Sequence, residues 1–286
     1  MKIICFLILI FTHQLVSSKS NDSPNLDFKK VQSQSWNEWK KDLKKTLKKE
    51  NFSDSTLDLL DEINFNPKVI EYDRKQPEFK LTFEKYLQRN INEQKKKDIN
   101  KIYKQNKELL LLLSEKFKVN PTILVSLWGI ETSFGKHIGK LDILSSLLSL
   151  AYDGRRQKFF MKEFKLALKI LEEGHVSPKD FKGSWAGAFG QTQFMPSTFH
   201  KFAIDFDNDK KINLFKKSDA LASGANYLNQ VGWNNNLLWG EEVKIIITDK
   251  LKNLSKKKKY KTKKFWEKNG ISFKNNYNDR VQMRLV

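Results

Sequence analysis

The sequence predicts a mainly α-helical, α+β protein, and three observations carry that expectation. Apolar residues recur at three- and four-residue spacing along most of the chain, as in "WNEWKKDLKKTLKKE", where Trp36, Trp39, Leu43 and Leu47 form one stripe opposite lysines. Helix boundaries are marked by capping residues, such as Asn120-Pro121 at one start and Gly174 at one end. Only "EEVKIIIT", residues 241–248, reads as a strand.

The elements follow in order. Residues 19–35 are polar and are expected to be a disordered linker. After the first amphipathic helix, "STLDLLDEI" predicts a second, shorter one. "NFNPKVIEYDRKQPEF", with Pro67 and Pro77, reads as a loop. Residues 78–117 are largely helical and polar, ending in the run Leu109–Leu113. A helix opening at Asn120-Pro121 is expected to stop at Gly135. "DILSSLLSLAYD" and "FFMKEFKLALKILEEG" are two further helices. "GSWAGAFGQTQFMPSTF" is a Gly-rich loop that ends where a helix begins near Pro196. "SDALASGANYLNQVG" is another helix, and beyond Thr248 the chain reads as basic and irregular.

The 286 residues suffice for one large or two ordinary domains. Residues 1–18, "MKIICFLILIFTHQLVSS", have the form of a secretory signal: Lys2, an apolar run from Ile3 to Phe11 too short to span a bilayer, and a cut expected after Ser18. Cys5, the only cysteine, lies inside that run, too early for a lipoprotein cleavage site, so neither a lipid anchor nor a disulfide is expected. No later segment is apolar for long enough to cross a membrane. The net charge of +20 points to an anionic partner, although lysine-rich helix faces are commonly plain solvated surface. An exported chain rarely meets nucleic acid, and the carboxylates of a bacterial cell wall fit that compartment better.

Three stretches could carry chemistry. In "SLWGIETSFGK", Glu131 sits near a helix end among Leu127, Trp128 and Phe134. Apolar surroundings and the negative end of a helix dipole both raise a carboxyl pKa, which suits a general acid. The alternative is a Glu that reaches solvent or pairs with a base. In the Gly-rich loop, Gly183, Gly187 and Gly190 would let backbone approach a ligand, Gln191 and Gln193 could bond sugar hydroxyls, and Trp185, Phe189 and Phe194 could face sugar rings. The alternative is a structural turn with core aromatics. In "DFDNDKKINLFKKSD", Asp205, Asp207 and Asp209 alternate as in a calcium loop, with Lys211 at the backbone-carbonyl position. Lys210 stands where the turn Gly belongs and Lys216 where the bidentate Glu belongs, so Asp219 would have to close a longer loop. An acidic turn neutralised by lysines is the alternative. Nucleophilic triads and zinc spacings are not supported: no Gly-x-Ser-x-Gly is present, and His13, His137, His175 and His200 are scattered.

"ILVSLWGIETSFGK", "LAYDGRRQKFF", "GSWAGAFGQTQFMPSTF" and "DFDNDKKINLFKKSDALASGANYL", together with "FNPKVIEYDRKQPEF", stand in the order and spacing of the lytic murein transglycosylase B family, which the chain resembles over residues 36–245. The resemblance implies a lysozyme-like helical core, residues 118–248, with a helical N-terminal part, residues 36–117, and a short β element. It implies non-hydrolytic cleavage of the MurNAc-β-1,4-GlcNAc bond of peptidoglycan to 1,6-anhydro-MurNAc ends by a single catalytic carboxylate, which Glu131 matches. Ser184, Gln193, Tyr227 and Arg156 match substrate-binding positions. Asp205, Asp207, Asp209, Lys211 and Asp219 match a variant cation loop for calcium or sodium, and the chemistry itself requires no cofactor.

The implied protein is a periplasmic, non-lipidated monomer with peptidoglycan strands as partner and no nucleic acid. Family members carry a C-terminal segment with an Asn and a Tyr that help close the active site, and residues 249–286 are expected to stop short of it. The alternatives to a transglycosylase are therefore a weak or inactive wall-binding protein and a hydrolytic muramidase.

Overall fold

The computed structural model describes residues 35–75, 85, 88, 90–235, 240–241, 243, 245–257, 259–279 and 281–285. The expected signal at 1–18 and the linker up to residue 34 lie outside them. The described residues divide into two compact units, one up to residue 235 and one from residue 240 onward.

The larger unit opens with α1 (Trp36–Lys49), whose capping box is complete: the Ser35 hydroxyl accepts the Glu38 N–H, and Glu38 accepts the Ser35 N–H at 3.0 Å. Trp39, Leu43 and Leu47 are buried, as the stripe predicts. The Lys40 ammonium donates to the Leu60 and Ile63 carbonyls at 2.9 and 2.8 Å, closing the C-terminus of α2 (Asp54–Glu62).

The expected loop at 64–79 is instead helical over α3 (Pro67–Lys75). A proline starts a helix as readily as it punctuates a loop, and here Asn66 Oδ1 accepts the Lys68 N–H at 3.1 Å. Burial decides the outcome: Val69 is in the core, and buried Asp73 pairs with Arg155 at 2.5 Å.

Next come α4 (Glu93–Gln105), α5 (Lys107–Phe117) and α6 (Pro121–Thr132). α7 (Ile143–Asp153) is buried along most of its length and packs on α8 (Gln157–Glu172). α9 (Pro196–Phe202) and α10 (Lys217–Gln230) complete the unit. Glu163 of α8, buried, accepts the Ser197 N–H at 2.9 Å and so caps α9, whose own N-cap Met195 has no side-chain acceptor.

Two cores result. One gathers α1, α2, α7, α8, α9 and the loop before α9; the other gathers α5, α6 and α10. Tyr227 on α10 packs against both.

The β structure is not where the sequence put it. Residues 241, 243 and 245–248 carry no strand. Instead β1 (Leu141–Asp142) pairs antiparallel with β2 (Lys182–Gly183), Leu141 opposite Gly183. Two-residue strands have no periodicity to read.

Residues 249–286, expected as irregular, contain α11 (Asp249–Lys256), β3 (Lys261–Thr262), α12 (Lys263–Glu267) and β4 (Gln282–Met283), with β3 and β4 paired. Leu251, Trp266 and Ile271 form a small core, and Trp266 Nε1–H donates to the Met283 carbonyl at 2.9 Å. Val243 and Ile245 of the expected strand pack on this core as irregular chain.

Candidate active site

Glu131 is the penultimate residue of α6. The helix stops at Thr132, three residues before Gly135, because the chain turns left-handed at once: φ is 49° at Ser133, 63° at Phe134 and 81° at Gly135. Two consecutive non-glycine residues in that region cost about 1–2 kcal/mol each. The turn is over-determined by its bonds. Phe134 N–H donates to the Trp128 carbonyl at 3.1 Å, Gly135 N–H to the Thr132 hydroxyl at 3.0 Å, and His137 N–H to the Thr132 carbonyl at 2.9 Å. The Phe134 ring meets Trp128 edge-on at 5.6 Å. Leu127 and Phe134 pack with buried Trp128 on the second core, giving the apolar setting the sequence predicted.

Burial pushes the Glu131 carboxyl up to about 7. No charge or hydrogen bond among the described residues offsets that desolvation, and its place at the helix C-terminus acts in the same direction.

The Gly-rich loop is locked onto this helix end. Trp128 Nε1–H donates to Gln191 Oε1 at 2.9 Å, and the Thr132 hydroxyl donates to the Gln191 carbonyl at 2.8 Å. Gln191 Nε2 donates to the Phe215 carbonyl at 2.6 Å. Gln191, read from the sequence as a sugar contact, is thus spent inside the protein and is buried. Nothing in the spacing of Thr132 marks it as a brace for the loop.

The loop glycines likewise face protein. A Cβ on Gly183 would lie 2.2 Å from the Ala188 carbonyl oxygen, and one on Gly190, where φ is +74°, would lie 2.4 Å from Leu214 Cβ. Phe189 and Phe194 are core residues, which corrects their reading as sugar platforms; Trp185 is half-buried. A loop this rich in glycine packs as tightly against itself as it could against a ligand, and spacing cannot separate the two.

Among the described residues, Ser184, Gln193, Tyr227 and Arg156 each keep a polar group without a partner. The Ser184 hydroxyl accepts the Ala188 N–H at 3.0 Å and retains its proton to donate. Gln193, at φ 52°, donates Nε2–H to the Ile138 and Gly190 carbonyls, both at 2.9 Å, which leaves Oε1 to accept. Tyr227 lies edge-on to Phe202 at 4.8 Å and against Phe194 at 5.9 Å, and its hydroxyl has no partner among the described residues. Burial raises its pKa. Gln193 is tied to the segment after Glu131, Ser184 follows β2, and Tyr227 touches the loop through Phe194.

Arg156 stands at the N-cap of α8, with its guanidinium over Phe159 at 4.4 Å and Phe160 at 4.9 Å. Burial lowers its pKa, and unlike Arg155 it has no ion pair among the described residues. His137 is exposed.

In the acidic loop, carboxylate oxygens of Asp205, Asp207 and Asp209 lie within 4.8 Å of one another. Lys210 does adopt a left-handed turn, φ 69°, as does Asn208, φ 59°. Lys210 N–H donates to Asp205 and Lys211 N–H to Asp209. Asp219 accepts the Phe206 N–H at 3.1 Å and the Asn213 N–H at 2.8 Å, and so ties the loop's two limbs to α10. The Lys216 ammonium bonds both Asp207 and Asp209.

A helical fold that holds one desolvated carboxyl, unpaired among the described residues, near the end of the helix that braces a Gly-rich loop offers a candidate acid–base site built on a single carboxylate. α6, the segment to residue 140 and the loop 181–196 contain no other carboxylate. The chain belongs to the Transglycosylase SLT domain family, whose match spans residues 35–286 and so extends the resemblance from residue 245 through the second unit.

The chain is 40% identical over 118 residues to membrane-bound lytic murein transglycosylase B of Escherichia coli (strain K12), covering 41% of this chain and 33% of that protein. A crystal structure of SltB3 from Pseudomonas aeruginosa in complex with NAG-NAM-pentapeptide superposes with a TM-score of 0.78 at 34% identity, covering 84% of this chain and 64% of that one. The Escherichia coli lytic transglycosylase Slt35 in complex with calcium matches at a TM-score of 0.61 and 25% identity, over 96% of this chain and 84% of that one. The chain thus spans about a third of the curated relative's length and 64% of SltB3. The mainly helical, lysozyme-like fold is common to these proteins.

Proposed function

We propose that the chain is a lytic transglycosylase that cleaves the MurNAc-β-1,4-GlcNAc bond of peptidoglycan, with Glu131 as the acid and then the base. The carrying observation is the Glu131 carboxyl itself, desolvated, unpaired and poised at about 7. Protonated, it donates to the glycosidic oxygen as the C1–O bond breaks. Ionised, it takes the proton from the muramoyl 6-hydroxyl as that oxygen bonds C1, so no water is consumed and the acid is restored. That α6, the segment to residue 140 and the loop 181–196 carry no second carboxylate in their sequence favours this over hydrolysis, which uses two.

The names of the relatives support the reading, as do SltB3 structures with NAG-NAM-pentapeptide and NAG-anhNAM-pentapeptide, the second an anhydro sugar. Ser184, Gln193 and Tyr227 would bond the saccharide with their free groups. Arg156, cationic and unpaired, suits a lactyl or peptide carboxylate. The apolar N-terminal run supports export to the periplasm, where this substrate lies.

The test is mass spectrometry of soluble products after incubation with purified peptidoglycan. Muropeptides lighter by one water than hydrolytic ones are expected; reducing ends would make the chain a muramidase, and wall binding without release would make it a binding protein.

The acidic loop suits a structural calcium or sodium ion. Asp205 Oδ1 is buried without a partner among the described residues, which leaves the donor set incomplete as it stands. Asp205, Asp207 and Asp209 would hold the ion, Lys211 would add its carbonyl, and the ion would neutralise the loop without entering the chemistry. Lys216 now supplies part of that positive charge. Calcium at about 100 times its Kd should therefore raise stability by about 2.7 kcal/mol. Lys216→Gln should tighten calcium binding by removing a competing cation, and Asp205→Asn should abolish it, both read by calorimetry and by thermal midpoint with and without chelator. An unchanged midpoint in calcium for every variant would reject the site.

A further inference from the structure

The second unit carries a surface to which the proposed glycan chemistry assigns no role. Residues 236–286 hold fourteen Lys and Arg against five Asp and Glu, a net of +9. Lys250, Lys256, Lys257, Lys259 and Lys264 are exposed and make no ion pair among the described residues. Beside them stands an apolar pair. Ile246 is 87% exposed and Ile247 64% exposed. Single exposed apolar residues are ordinary. Two adjacent isoleucines this far out in water, at the edge of a lysine field, are a feature to explain.

The unit's own core does not need them, since Leu251, Trp266 and Ile271 fill it, with Leu254 packed on it. The apolar side of α11 is therefore already used, and this helix cannot lie in an interface by that side. The chain just before it can enter one instead. Ile247 precedes Lys250 by three residues, so the apolar tip and the first lysine lie within about 10 Å.

We propose that residues 236–286 form a peripheral docking module for anionic phospholipid headgroups, with Ile246 and Ile247 entering the boundary between headgroups and acyl chains and the surrounding lysines facing the phosphates. A soluble polyanion would use the lysines alone and leave the isoleucines unexplained, whereas a bilayer surface uses both. No described helix is long and apolar enough to cross a membrane, so such attachment is reversible and salt-sensitive. The proposal stands whether or not Glu131 is catalytic.

The test is co-sedimentation of the full chain with vesicles of phosphatidylglycerol and phosphatidylethanolamine, and with vesicles of phosphatidylcholine alone, over a salt series. The full chain should sediment with the anionic vesicles at low salt and not with the neutral ones. Ile246→Ser with Ile247→Ser should lower partitioning by about tenfold to a hundredfold, with the thermal midpoint unchanged because both side chains are exposed. Lys250→Gln, Lys256→Gln and Lys257→Gln together should lower it by about a hundredfold, at about fivefold per lysine, and flatten the salt dependence. No partitioning of the full chain at low salt would overturn the proposal. Partitioning untouched by the serine pair would overturn it too, and would leave a general polyanion binder, which soluble polyphosphate would then displace from the vesicles.

Discussion

Glu131→Gln is expected to lower kcat on peptidoglycan by at least about 10³-fold while glycan binding persists, because one group supplies both proton transfers. The amide keeps the shape and can still accept and donate hydrogen bonds, but it cannot release a proton to the glycosidic oxygen.

The pH dependence of the unmodified protein follows from the same carboxyl. The general acid must be protonated, and its folded-state value is about 7, so turnover should fall as pH rises through about 7. Stability moves with it. The unfolded chain loses this proton near 4.5 and the folded protein near 7, so between those values the folded state holds more proton. Stability therefore declines as pH rises across that window and is level above it. Glu131→Gln removes the penalty, and at pH 8 the variant should be more stable by about 3 kcal/mol. A variant that loses activity and gains alkaline stability separates a working acid from a merely structural residue. Equal loss of both would reject the assignment.

Gln191→Leu is expected to be the most damaging single change among the residues that bond no substrate. Leucine has nearly the same size, so the packing space is filled. The Trp128 indole N–H and the Phe215 carbonyl, bonded at 2.9 and 2.6 Å, would lose these partners, the first buried and the second half-buried. Each orphaned group costs about 1–3 kcal/mol, which sums to about 2–6 kcal/mol, a large part of an ordinary domain's stability. Because Gln191 joins the end of α6 to the Gly-rich loop, partial unlocking should lower kcat before the protein unfolds. Denaturant melts and kinetics on the same sample will show the order. Gln191→Glu, which keeps an acceptor for Trp128, should recover part of the stability. If Gln191→Leu costs less than about 1 kcal/mol, the glutamine is not the brace.

Much of this was legible in the chain because it is local. The stripe Trp36, Trp39, Leu43 and Leu47, the cap at Asn120-Pro121 and the left-handed Gly174 after α8 are written in spacings of a few residues, and the structure carries each of them. So is the apolar company of Glu131.

The misreadings share one cause. Asn66-Pro67 serves a loop or a helix start equally well until α3 packs on α7 and Asp73 pairs with Arg155 in the turn before α8. The β1–β2 pair is two residues long on each side and arises because residues 141–142 are brought to 182–183, forty residues on. Residues 241–248 have strand composition but no strand partner among the described residues, and part of the stretch serves a small core instead. Gln191 and the loop glycines looked free for a ligand because a sequence lists donors and gaps without saying what fills them.

By itself, then, the sequence determined that the protein is helical, where most helices begin and end, and that a lone carboxyl sits in an apolar helix end beside a Gly-rich loop. Only the tertiary structure decided which groups are consumed in bracing that loop, which are left for a ligand, and how far the Glu131 proton is held. Hydrophobic period and capping act over one or two turns and are visible in the order of residues. Desolvation and hydrogen-bond satisfaction depend on every atom within reach in space, and those atoms come from segments far apart in the chain, as Trp128 and Gln191, 63 residues apart, do.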